Sequence, residues 1–168
     1  MEYHSTSKVR RLSGQFTFRV EGYSGLQNSV GASTESPEFS LCSHLWQLRI
    51  FPGGSLEQHK GYVSYYLASK SDRQARASYK LTILNQKGGT DESFSSSGIR
   101  IFEPKGLNVD GWGRDRFVAV NILNDVESNY CVNDIVIFKV ELSVYGDLEM
   151  MGFPVVNSGS QDSNKNSY

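Results

Sequence analysis

Cysteine is scarce in this 168-residue chain: Cys42 and Cys131 are the only two. A secreted scaffold held by disulfides would need a denser set, so two reduced thiols are expected. Long apolar runs are missing as well. No stretch approaches the roughly 20 apolar residues of a membrane-spanning helix. The first 14 residues are polar, carry Lys8, Arg10 and Arg11, and lead into no apolar run, which argues against a signal peptide. No Asn-x-Ser/Thr acceptor site occurs. These absences together predict a cytoplasmic or nuclear protein that does not insert into membranes. Excess charge of one sign is absent too: 17 basic and 18 acidic side chains leave a formal net charge of −1. A nucleic-acid binder would need a basic patch or stripe, so no nucleic-acid partner is expected.

Helical periodicity is also lacking. No window of helical length sustains apolar residues at spacings of three and four, although a helical turn fits near residues 124–133. The dominant period is two. Phe16, Phe18 and Val20 share one face of a strand over 15–21, and Trp46, Leu48 and Ile50 share one over 45–51. Val63, Tyr65 and Leu67 align over 62–67, and Ala77, Tyr79, Leu81 and Ile83 over 77–84. The longest alternation, 135–145, places Val136, Phe138, Val140, Leu142 and Val144 together. Shorter strands are expected over 38–43, 98–102 and 117–123. Alternation of this kind marks a strand with one buried face. Turn signals separate the runs: Pro52-Gly53-Gly54, Gln86-Lys87-Gly88-Gly89 and Glu103-Pro104-Lys105-Gly106. Seven to eight such strands predict an all-β, antiparallel β-sandwich, since each sheet must bury its apolar face. The sandwich is expected over 15–148, between flexible tails at 1–14 and 149–168, which are too polar to offset the entropy of ordering them.

Chemistry is sparse. Of three histidines, His4 falls in the expected tail and His59 in a charged loop, where a solvated side chain is expected. Cys42 and His44 stand two apart on an expected strand, pointing to the same face, but they lack an orienting partner from another element. They read as a buried thiol beside a structural histidine. No Cys-x-x-Cys pair, His-Glu-x-x-His motif or calcium-loop ladder is present, so neither metal nor cofactor is expected, and the chain is not expected to be an enzyme. Arg10-Arg11-Leu12-Ser13 has the pattern of a basophilic kinase site. Recognition is better served: Trp112 lies between two glycines in Asp110-Gly111-Trp112-Gly113-Arg114-Asp115, a context that lets the backbone turn tightly around one large ring. Such a tryptophan either plugs the sandwich or offers its face to a ligand.

The order of these features resembles the MATH (meprin and TRAF homology) family. HLWQLRIFPGG at 44–54 is similar to that family's Trp-x-Leu-x-(Val/Ile)-x-Pro-x-Gly strand and turn. GYVSYYLAS at 61–69, ARASYKLTILNQKG at 75–88, GWGRDRFV at 111–118 and VNDIVIFKVELSVYG at 132–146 follow in the family's order. The resemblance covers roughly 15–146. It implies a sandwich of about eight strands that binds extended peptide segments of other proteins in a shallow groove, by strand-edge pairing and side-chain pockets. The closest pattern in the family is the substrate-binding domain of a ubiquitin-ligase adaptor. By that comparison Tyr66, Tyr79, Trp112 and Gly113 fall on groove positions. Arg114 stands where that adaptor has an aromatic, Asp115 where it has a lysine, and Gly111 where an acidic residue is expected, with Asp110 one step earlier. A groove of different charge pattern is implied. The expected role is a non-catalytic adaptor in ubiquitin-related or signalling complexes, monomeric in isolation or weakly oligomeric. The alternative is a structural, self-associating sandwich with a vestigial groove.

Overall fold

The computed structural model describes residues 1–107 and 111–151, the last five of these by backbone alone. Two antiparallel sheets pack face to face. In the first, the order is β1 (Thr6–Glu21), β11 (Ile135–Met151), β6 (Ala75–Ile83) and β7 (Glu92–Ser95), with β8 (Arg100–Phe102) also on β6 and β10 (Cys131–Val132) also on β11. In the second, β2 (Thr34–Glu35), β4 (His44–Phe51), β5 (Tyr62–Ser69) and β9 (Trp112–Ala119) follow in that order, with β3 (Phe39–Leu41) also on β4.

The period-two runs place their apolar faces as the sequence predicts. Trp46, Leu48, Ile50, Val63, Tyr65, Leu67, Ala77, Leu81, Ile83, Val136, Phe138 and Val140 are fully buried between the sheets. Tyr65 joins the two layers. Its ring sits edge-on to Phe117 and Phe138, at 5.1 and 5.2 Å, and its hydroxyl donates to the Lys139 carbonyl at 3.0 Å. Trp46 likewise donates its indole N–H to the Leu41 carbonyl at 2.9 Å, so neither large aromatic buries an unpaired polar atom.

Element boundaries differ from the expected ones in several places. Residues 6–14, expected as a tail, extend β1 and pair with β11 as far as Thr6 opposite Met151. Their side chains stay mostly exposed, so backbone pairing rather than burial holds them, and composition carries no trace of that. The strand expected over 38–43 stops at Leu41. Cys42 and Ser43 both take positive φ (54° and 62°) in a two-residue hairpin turn, with Leu41 opposite His44. The strand expected over 117–123 ends at Ala119, and Val120–Leu123 form one helical turn, α1, followed by a 3-10 turn at Val126–Ser128. β7 was not expected at all, since four residues with a single apolar side chain show no periodicity.

Candidate functional site

Among the described residues β9 is an edge strand, paired with β5 on one side only. Its register places Leu67 opposite Trp112, Tyr66 opposite Gly113 and Tyr65 opposite Arg114. Leu67 and Tyr65 face the core, so Trp112 and Arg114 lean toward the gap between the sheets, while Gly113 lies on the outer side with Tyr66. Beyond Arg114 the register shifts: Ser64 on β5 faces a stretch of β9 two residues longer, a bulge that re-aims Asp115 and Arg116.

The glycines around Trp112 have a steric reason. A Cβ on Gly113 would lie 2.1 Å from the Tyr65 carbonyl oxygen and 2.6 Å from Tyr66 Cα. On Gly111 it would meet the Leu67 carbonyl oxygen at 2.0 Å, and φ there is +73°. Only glycine permits β9 to approach β5 this closely.

Two clusters result, on opposite faces of the second sheet. The inner one lies at the open edge, where β9 meets β7 and β8. The Trp112 indole N–H donates to the Ile101 carbonyl at 2.7 Å, and the Arg100 guanidinium covers the ring at 5.0 Å from its centroid. Arg114 covers Phe94 at 5.5 Å. Tyr79 forms the floor, 6.4 Å from Phe94 and 6.0 Å from Phe102 between ring centroids. Burial pushes the Tyr79 phenol up, and the charge of Arg100 pulls it partly back. Ile99 and Ile101 are exposed nearby. Trp112 packs half-buried on the core and keeps part of its surface at the edge.

The outer cluster gathers Tyr66, Asp115, Ser55 and His59. The Tyr66 hydroxyl donates to an Asp115 carboxylate oxygen and shares a 2.9 Å hydrogen bond with Ser55. His59 Nδ1 lies 3.0 Å from Ser55 Oγ, and its Nε2 lies 3.5 Å from the other Asp115 oxygen. Ser64 Oγ donates to the Asp115 carbonyl at 2.6 Å, fixing the bulge. Phe51 packs edge-on against Tyr66 at 5.8 Å. Burial first, then the bond to Asp115, pushes the Tyr66 phenol up to about 12. His59 is thus buried, at 9% exposure, and not solvated as its loop suggests. The 3-10 turn Glu57–His59 folds the loop back over β5.

Tyr66 and Tyr79 are consequently not brought together: one lies on the outer face, the other on the core side of the opposite sheet. Trp112, Arg114 and Tyr79 do converge, as do Tyr66 and Asp115. Asp110 lies outside the described residues. Ser55, His59, Phe94 and Arg100 were missed by sequence reasoning. The spacing of four between Ser55 and His59 was the available signal for the first pair. No local signal marks the second, which only tertiary pairing assembles.

Nucleophilic chemistry has little support. Cys42, in its turn, no longer shares a strand face with His44, which corrects the expected arrangement. Burial pushes the Cys42 thiol up, which lowers its thiolate fraction, although a backbone hydrogen bond from Val144 opposes this. Burial lowers the His44 imidazole, and its Nδ1 has no hydrogen-bond partner. Both cysteines are free thiols. Among the described residues no three His, Cys, Asp or Glu side chains are placed to hold a metal ion. No helix among them is long and apolar enough to cross a membrane.

Known proteins resemble this chain in sequence and in fold. The MATH domain family model matches residues 15–142. TD and POZ domain-containing protein 2 of Mus musculus is 28% identical over 108 residues, covering 61% of this chain and 29% of that protein. RING finger protein DG17 of Dictyostelium discoideum is 26% identical over 102 residues, covering 59% and 21%. The chain thus spans less than a third of the length of either relative. TRAF5 of Notothenia coriiceps has a similar fold, with a TM-score of 0.58 at 18% identity, over 84% of this chain and 75% of that one. The family model covers most of the sandwich, from β1 to β11, and the fold is TRAF-like: the chain belongs to the MATH domain family of protein-interaction domains.

Proposed function

We propose that this domain binds extended peptide segments of other proteins along the free edge of β9, without catalysis. The observation that carries the reading is the combination on one strand of an unpaired backbone edge and a half-buried tryptophan beside a sterically required glycine. An incoming extended segment would satisfy the free N–H and C=O groups of that edge, and its alternate side chains would reach the Trp112 cleft. Trp112, Tyr79 and Phe94 supply rigid apolar surface at low entropic cost, while Tyr66 and Asp115 hold the bulge that ends the edge. Binding in the micromolar range is expected of one shallow groove.

The domain would act as a recognition module within a larger assembly, in a ubiquitin-related or signalling complex, in the cytoplasm or nucleus, and as a monomer when isolated. The POZ and RING finger relatives, whose matched segments are a minor part of their length, support such a modular role. Panning a random peptide library against wild type and Trp112→Ala tests the reading. Wild type should enrich a common motif that Trp112→Ala loses. Selection of the same peptides with equal strength would remove the groove from β9.

A further inference from the structure

Two arginines at the inner cleft stand without an acidic partner among the described residues. Two other arginines do have one: Arg19 lies 3.0 Å from Glu21 and Arg49 lies 3.3 Å from Glu35. Arg100 and Arg114 instead lie over aromatic rings, Trp112 and Phe94, and among the described residues neither forms an ion pair. The carboxylate next to Arg114 on β9, Asp115, is on the other face and already engaged by Tyr66 and His59. Both guanidiniums border the same floor, since Tyr79 contacts Phe94, beneath Arg114, and also feels the charge of Arg100.

We propose that this cleft recognises an anionic side chain, a carboxylate or a phosphate, carried by an extended segment of a partner protein that lies on β9. The inference rests on the peptide-binding reading above and specifies its ligand. Charge complementarity selects the occupant. Two like charges against a low-dielectric aromatic wall create a positive potential that a bound anion relieves. The planar guanidinium fork is suited to receive a carboxylate or phosphate through two parallel hydrogen bonds. The rings also fix the guanidiniums in advance, so little side-chain entropy is lost when the anion arrives. A neutral segment would leave both charges unanswered at the edge of the interface.

Three peptide pools with random flanks, identical except for a central Ser, Glu or phosphoserine, test this against wild type, Arg114→Gln and the double variant Arg100→Gln/Arg114→Gln. Arg114 is exposed, so its replacement leaves the fold intact. Wild type should retain the Glu and phosphoserine pools at least tenfold over the Ser pool. Arg114→Gln should reduce that excess and the double variant abolish it. An excess confined to phosphoserine would assign the anion as phosphate. Equal retention of the three pools, or an excess that survives in the double variant, would overturn the anion assignment alone. Failure of wild type to retain any pool would overturn the peptide reading with it.

Discussion

The indole N–H of Trp112 donates to the carbonyl of Ile101 at 2.7 Å, joining the edge strand of one sheet to the short β8 of the other. This bond closes the open side of the sandwich at the place where a ligand would bind. Trp112 is thus both a structural tie and a contact surface, and the two roles separate by substitution. Trp112→Phe keeps an aromatic ring but removes the donor, and an exposed hydrogen bond of this kind contributes about 0.5–1 kcal/mol. Chemical denaturation should show a loss of that size, with peptide binding weakened but present. Trp112→Ala should abolish binding.

Gly113 is the position where β9 tolerates no side chain. Gly113→Ala sets a Cβ against the backbone of Tyr65 and Tyr66, which cannot give way as a flexible side chain would. Overpacking of this kind costs about 1–3 kcal/mol. A lower melting temperature is expected, together with faster amide exchange in β9 than in β11. Unchanged stability would mean that the two strands lie further apart.

Tyr66 gives the protein a signature at alkaline pH. Its folded pKa is raised to about 12, above the usual phenol value, because burial and the bond to Asp115 favour the protonated form. The stabilisation is therefore complete below about pH 10, the ordinary tyrosine range, and is lost as pH rises from there toward 12. The stability difference between wild type and Tyr66→Phe should be constant from pH 7 to 9 and shrink above about 10. Urea melts across that range read it directly.

Asp134 acts at the acid end. Its carboxylate accepts from the Ser24 hydroxyl at 2.7 Å and the Ser24 backbone N–H at 2.8 Å, which lowers its pKa. A lowered carboxyl stabilises the fold above its unfolded value, near 4 by ordinary standards, and that contribution fades as pH falls through the folded value. Asp134→Asn retains the shape and tolerates the positive φ of 58° at this position. The variant should be less stable than wild type at pH 7, and the two should converge below about pH 4.

The core was legible because burial on one face of a strand writes itself as alternation. Phe138, on the central β11, is fully buried, and Phe138→Ala would cost about 3–5 kcal/mol. The N-terminal half of β1 left no such mark: Thr6 to Arg10 pair through backbone groups while their side chains meet solvent. The Gly-Trp-Gly spacing singled out Trp112 but read as a tight turn; the structure makes Trp112–Ala119 a strand, and its close approach to β5 is what demands residues without Cβ. The partners of that strand were not legible. Phe94 on β7 and Arg100 on β8 come beside Trp112 through the stacking of one sheet on the other, and Ser55 and His59 come beside Tyr66 because their loop folds back over β5.

Amide hydrogen exchange of the backbone tests edge pairing by β9 most directly, measured with and without a peptide enriched by the wild-type protein. Pairing of an extended segment along this edge would slow exchange at Trp112–Arg116 and leave β1, the edge strand of the other sheet, unchanged. Protection at β1 with none at β9 would contradict the account.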